Sequence, residues 1–328
     1  MKRVLCKFIA WEEGSSAIIV VLTMSFLMLF AALSVDFGLA YYRIAQAQNA
    51  ADAAALAAGS LLPVDKDDPQ AILKVKDAAI FYASENGAFD ITEDDVVLSG
   101  GESAEYTRVN VNIPFEIQMN FAKMFGMSSQ NVVRGAKAEV APCDSITGAA
   151  PLGVDYLQLK TLLDSGETQH IYLKYGGGDG DTGSYGAIDL DGVKGGGASD
   201  FETWLTYGYA GVIEVGENLL PVEKGNMAGA TFDSMQVRFN ACTHFTDDGG
   251  CTSEHFDPNC PRLIKVLVTE KVGTSYVKVK GFAAFIIEGV YEDVILGSYV
   301  NYFEEGSVDT VPDWGSIDYG MYNLGLVG

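Results

Sequence analysis

The side chains best equipped for chemistry fall in one short interval, where Cys242, His244, Cys251, His255 and Cys260 follow one another. Thiolates and imidazoles at this density can assemble a tetrahedral zinc site from any four of the five. The interval lacks the Cys-x-x-Cys pair that usually nucleates such a site, so disulfide chemistry is the stronger expectation. Together with Cys143 these are four cysteines, which allow three pairings. Cys242 and Cys260 end and begin neighbouring expected strands, which makes them the preferred pair.

A second cluster is acidic. The loop YGGGDGDTGSYG at 175–186 contains a Gly-x-Gly-x-x-Gly match at Gly178, Gly180 and Gly183. A dinucleotide site needs those glycines to open a helix whose amides meet a phosphate, yet no helical pattern follows, and Asp179 and Asp181 would repel the anion. Those two carboxylates, with Asp189 and Asp191 after them, are instead the candidate ligands for calcium. No acidic residue occupies the twelfth position from Asp179, so the loop is not an EF-hand, and a solvated Gly/Asp turn is the favoured reading. No cofactor is otherwise expected. The three histidines, His170, His244 and His255, lie in no recognisable nucleophile setting, and nothing points to an enzyme.

These residues must be positioned by a chain of 328 residues with 44 acidic and 21 basic side chains and a net charge of -23. That charge repels nucleic-acid phosphates, so nucleic-acid partners are not expected. The chain is organised around its N-terminal region. Residues 17–35 contain no charge and no proline, and about 19 residues at about 1.5 Å each reach the thickness of a hydrocarbon core. Lys2, Arg3 and Lys7 precede this run and Asp36 follows it, which places the N-terminus in the cytoplasm and the rest of the chain outside. Ala32, Leu33 and Ser34 offer a small-x-small signal cleavage site. The apolar run is longer than a signal core, however, and helical character continues across that site, so an intact single-pass anchor is expected. Cys6 then lies on the reducing side and the other four cysteines on the oxidising side.

Beyond the span, helix-favouring residues continue through QNAADAAALAAG to Gly59, a good residue to follow a helix end, with Pro63 soon after. Ala45 through Ala58 would let this helix approach other helices closely. Asp68-Pro69 reads as a cap and first turn, with Ile72, Val75, Ala79 and Tyr82 on one helical face. Val109, Val111, Ile113, Phe115, Ile117 and Met119 alternate with polar residues as a half-buried strand, and Pro114 on its wet parity favours an edge or bulge. Asn120 can cap a short helix closed by Gly126, and Ala136, Ala138 and Val140 alternate in a further strand.

After Cys143 glycine becomes dense. Strands are expected at 171–175, 211–215, 235–239, 263–269, 276–280 and 282–287, with a helical turn or two around Trp204. The expected organisation is therefore a cytoplasmic N-terminus (1–14), a transmembrane anchor with an extended helix (15–60), an α+β module (61–143) and a Gly-rich, mostly-β ectodomain (144–328), the last a sandwich or partly closed barrel.

The stretch from Gly14 to Gly59 resembles the N-terminus of TadE/TadG-like proteins of Flp (tight adherence, Tad) pilus systems. The residues that carry the resemblance are Gly14, the apolar run, Asp36 and Gly38, and the QNAADAAALAAG string with Gln48, Asn49, Asp52 and Gly59. The module to about Cys143 is similar to the pilin-like region of that family, and GDTGSYGAIDL and GNMAGAT are similar to ectodomains of some Gram-positive members. No Asp-x-Ser-x-Ser motif of a von Willebrand A domain is present. Members processed as prepilins carry Glu five residues after the cleaved glycine. Ile19 stands there in this chain, so cleavage between Gly14 and Ser15 is a candidate step without its usual acidic residue.

The resemblance implies a non-enzymatic, membrane-anchored component of a pilus, either a minor pilin-like subunit or an assembly factor. Other Tad/Flp pilus proteins would be its partners through the N-terminal helix. The competing expectation is a cell-surface adhesin or binding module whose β half takes a ligand, with calcium as an option.

Overall fold

The computed structural model describes residues 12–87, 89–100, 104–165, 171–174, 184–185, 187–193, 197–216, 218–222, 228–245, 249–291, 294–304 and 319–327. The chain divides into two compact units, Met1–Ala138 with Leu326–Gly328, and Glu139–Gly325.

The first unit is built on α1, Glu12–Gly59, one unbroken helix of 48 residues that is about 72 Å long at about 1.5 Å per residue. Gly59 is its last helical residue rather than the first residue beyond it. α2, Pro69–Glu85, starts as its sequence requires: the Gln70 and Ala71 amides donate to the Asp68 carboxylate at 2.9 and 3.1 Å. Its buried stripe is Val75, Ala79 and Ala83. The four-residue step continues to Ala83, leaving the expected Tyr82 one position round the helix and exposed.

Strands β1 (Val96–Ser99), β2 (Arg108–Gln118) and β3 (Ser129–Pro142) lie side by side in that order, and the division between the units falls within β3. Val109, Val111, Ile113 and Ile117 are buried, whereas Pro114, Glu116 and Gln118 are exposed, as period-two alternation demands. β1 pairs only with Arg108–Val111, so Pro114 lies beyond the reach of that neighbour and no ladder bond is lost on that side.

α1 rests on α2 and β2. Ala47, Ala50, Ala51, Ala54, Ala55 and Ala58 recur at three- and four-residue steps and are completely buried. The close approach to another helix expected of the alanine run is made here within the unit, against α2. Its small side chains are consumed inside the unit, where they let the α1 backbone sit close to α2 and the sheet.

The second unit contains a seven-stranded sheet. We label its main strands β4 (Ala149–Asp155), β5 (Ile171–Lys174), β6 (Ser184–Tyr185), β7 (Leu263–Val272), β8 (Tyr276–Tyr291) and β9 (Val294–Val300). Their order is β5-β9-β8-β7-β4-β6, and Leu219–Pro221 adds to β8. The β4–β7 pair is parallel and the other pairings are antiparallel. Both faces are covered, which explains the near-continuous apolar runs of the central strands. Ile264, Val266, Val268, Ala283, Phe285 and Ile287 face one core, and Leu263, Leu267, Phe282, Ala284 and Ile286 face the other.

Three helices serve the first of these cores: α3 (Tyr156–Ser165), α4 (Gly197–Tyr207) and α5 (Ala228–Ala241) contribute Leu159, Phe201, Leu205 and Met235. Among the described residues the region is mostly β with an open sheet, and no closed barrel forms. The strand expected at 235–239 is part of α5. Thr231, Ser234 and Met235 are buried and Val237 is 54% exposed, a helical pattern that a strand burying every second residue would not give. The strands expected at 276–280 and 282–287 are one strand, β8.

Candidate functional site

Along α1 two different surfaces follow one another. From Ile18 to Phe30 every large apolar side chain except the half-buried Leu29 is 55–68% exposed. Residues 47–58 carry the buried alanines. α1 is the one described helix long and apolar enough to cross a membrane. Between the two surfaces stand Phe37, Leu39, Tyr41 and Tyr42, all exposed. Aromatic residues of this kind suit the boundary between hydrocarbon and water.

Asp36 marks the changeover. It is buried, and its carboxylate accepts three backbone N–H bonds, from Asn120 at 2.9 Å, Phe121 at 2.9 Å and Ala122 at 2.8 Å. Those donors open the 3-10 turn Ala122–Phe125, which Gly126 closes in the left-handed region at φ 85°. The expected cap was Asn120. The turn's own N-cap residue, Phe121, offers no side-chain bond, and the orphan donors are satisfied by a carboxylate from α1 instead. About three turns farther along α1, the Gln48 amide bridges to the Asp52 carboxylate at 2.9 Å and to the Gly135 carbonyl of β3 at 3.3 Å. A Cβ on Gly135 would come within 2.9 Å of the Asn112 side-chain oxygen and 3.2 Å of the Val111 carbonyl, so a larger residue there would have to push its neighbours aside. Gly38 and Asn49 are exposed, and a Cβ on Gly38 would meet nothing.

The cysteine-histidine interval lies in the second unit, between the end of α5 and the start of β7. Cys242, Cys251 and Cys260 are unbonded thiols, as is Cys143. One ligand atom from each of Cys242, His244, Cys251 and Cys260 lies within 4.8 Å of each of the others. The Cys260 thiol donates to the Cys242 sulfur across 3.5 Å. His255 is left out: it is exposed and its ring stacks on Phe245 with centroids 3.7 Å apart.

Burial opposes ionisation of Cys242, but hydrogen bonds involving the Cys251 and His244 backbones and the Cys260 thiol outweigh it and bring its thiol down to about 6. Burial pushes Cys260 up to about 12. Cys143 stands apart. Its thiol contacts the Asn323 side chain at 3.4 Å, and burial first, then the Glu304 charge, pushes it up to about 12.

Of the acidic candidates, Asp189 is buried, and Asp191 is exposed and accepts from the Val193 amide at 2.9 Å, a local turn bond. Asp179, Asp181 and the Gly-x-Gly-x-x-Gly glycines lie outside the described residues, as do His170 and Cys6.

Residues 14–61 match the family model of putative Flp pilus-assembly TadE/G-like proteins. No curated protein and no solved structure matches the chain. The TadE/G-like match covers α1 almost completely and stops two residues beyond it. Within that match Asp36 and Gln48 have tertiary roles, each joining α1 to a distant segment of the same unit. Sequence reasoning singled out both residues by resemblance, and a lone acidic residue following an apolar helical run is the signal that physical reading offers for Asp36.

Proposed function

We propose that the chain is a non-enzymatic, single-pass component of a Tad/Flp pilus system, held in the membrane by residues 17–35 with the chain after them on the outer side. The observation that carries this reading is the TadE/G-like match falling on a helix whose apolar half is exposed and whose other half is docked. The large side chains of the exposed half are left uncovered by the described residues, so lipid and neighbouring transmembrane helices are its natural surroundings. The docked half fixes α1 to the sheet, making the anchor and the α+β module one mechanical element.

This arrangement fits a pilin-like subunit or an envelope-anchored assembly factor. Ile19, at the position where processed prepilins carry Glu, favours the anchored factor. Fractionation of cells tests this directly: the protein is expected in the membrane fraction with an intact N-terminus, and pilus production is expected to fail when its gene is deleted. Recovery mainly in sheared pili, with a mature N-terminus at Ser15, would make it a subunit. Normal piliation after deletion would remove it from the system.

A further inference from the structure

The geometry points to a tetrahedral zinc site formed by Cys242, His244, Cys251 and Cys260. The four side chains come from the connection between α5 and β7, in which no helix or strand forms among the described residues, and they converge. Zinc–sulfur bonds of about 2.3 Å set sulfur–sulfur edges of about 3.8 Å in a tetrahedron. The Cys242 and Cys260 sulfurs, 3.5 Å apart, already stand near that edge length. A disulfide between them would use two of the three thiols and leave Cys251, itself buried, without a role.

His244 supplies the independent observation. Its Nδ1 is buried and has no hydrogen-bond partner among the described residues, while its Nε2 lies 4.0 Å from the Asp257 carboxylate. An imidazole with one nitrogen facing a carboxylate and the other orphaned has the arrangement of a metal ligand with its outer carboxylate. A metal on Nδ1 satisfies the orphan.

The surroundings complete the site. Arg262 donates its backbone N–H to the Cys260 sulfur at 3.4 Å, and its guanidinium stacks on Phe239 at 3.8 Å and bonds the Phe239 carbonyl at 3.2 Å. Arg238 ties the end of α5 to the Pro261 and Leu263 carbonyls, both at 3.1 Å. Three thiolates and a neutral imidazole around Zn²⁺ carry a single net negative charge. Binding displaces the thiol protons to solvent and forms three Zn–S bonds and one Zn–N bond without any change of oxidation state. The ion would clamp a long connection at its neck and so hold α5 against the sheet.

The test uses the full chain purified in mild detergent without added metal, then with Zn²⁺ or Co²⁺. The expected result is about one zinc per chain, with three further thiols becoming titratable when a chelator removes it. Co²⁺ in its place should give thiolate-to-metal charge-transfer bands and the intense visible bands of tetrahedral coordination. His244→Cys should keep the metal and shift those bands, and Cys251→Ala should weaken binding by at least about tenfold. The wild-type cobalt spectrum needs no variant to fold. A Cys242–Cys260 disulfide in unreduced peptide maps of the native protein would overturn the proposal. So would a cobalt spectrum lacking the thiolate bands.

Discussion

The Asp36 carboxylate on α1 accepts a 2.8 Å hydrogen bond from the backbone N–H of Ala122, 86 residues farther along the chain. With the bonds from Asn120 and Phe121 it closes the first unit at the level where the apolar half of α1 ends. An acceptor at this point serves donors that no local side chain reaches. Asp36→Ala is expected to lower the melting temperature of the first unit by several degrees and to speed amide exchange at 120–122. Asp36→Asn, which keeps one acceptor oxygen, should fall between the two. Unchanged exchange at those amides in Asp36→Ala would show that the carboxylate does not hold the turn.

The buried alanines make a contrasting pair of substitutions available. Ala50 is completely buried, whereas Ala45 on the same helix is exposed. Ala50→Leu forces added methylenes between α1 and its neighbours and is expected to cost about 1–3 kcal/mol. Ala45→Leu should change stability by no more than about 0.5 kcal/mol. If pilus assembly is lost in Ala45→Leu while its stability is normal, the exposed side of the alanine run contacts a partner. Chemical denaturation of both variants separates these effects.

Alkali should weaken the second unit. Burial raises the Cys143 thiol to about 12 and the Tyr319 hydroxyl to about 12, in Tyr319 with help from Tyr156. Both groups therefore hold their protons more tightly folded than unfolded. Their stabilising contribution is complete below about pH 8.5 for the thiol and about pH 10 for the phenol, and is lost as pH rises toward 12. Cys143 should resist alkylation at about pH 8 until the chain unfolds. Tyr319 is buried and its hydroxyl has no hydrogen-bond partner among the described residues, so Tyr319→Phe is expected to stabilise by about 1 kcal/mol and to reduce the alkaline loss. A thermal-melt series from neutral pH upward reads both effects.

Much of the first unit was legible because its signals are local. The apolar run, the Asp68-Pro69 cap and the alternation from Val109 to Ile117 each follow from neighbouring residues in sequence, and each appears where those residues require it. The second unit was harder to read. Gly281 reads as a break between two strands, yet it lies within β8, where a Cβ would come within 2.4 Å of the Tyr319 ring. Its smallness accommodates a residue from far along the chain, and no local pattern reports that. Val237 looked like a strand position because Met235, Val237 and Phe239 alternate, but the burial of Thr231 and Ser234, which is polar and so invisible to a hydrophobic pattern, sets the helical face of α5.

The sequence by itself determined the long N-terminal helix: a continuous uncharged run, an acidic residue at its end and a helix-favouring continuation leave the backbone few alternatives, since hydrogen bonding along a helix is satisfied within the segment. Only the tertiary structure decided what that helix is for beyond the apolar run. It turned the alanines inward, gave Asp36 three donors from another segment, and selected Cys242, His244, Cys251 and Cys260 while leaving His255 outside. The reason is the same in each case. Close approach, capping in space and ligand convergence depend on distances between segments remote in sequence, and those distances exist only once the chain has packed.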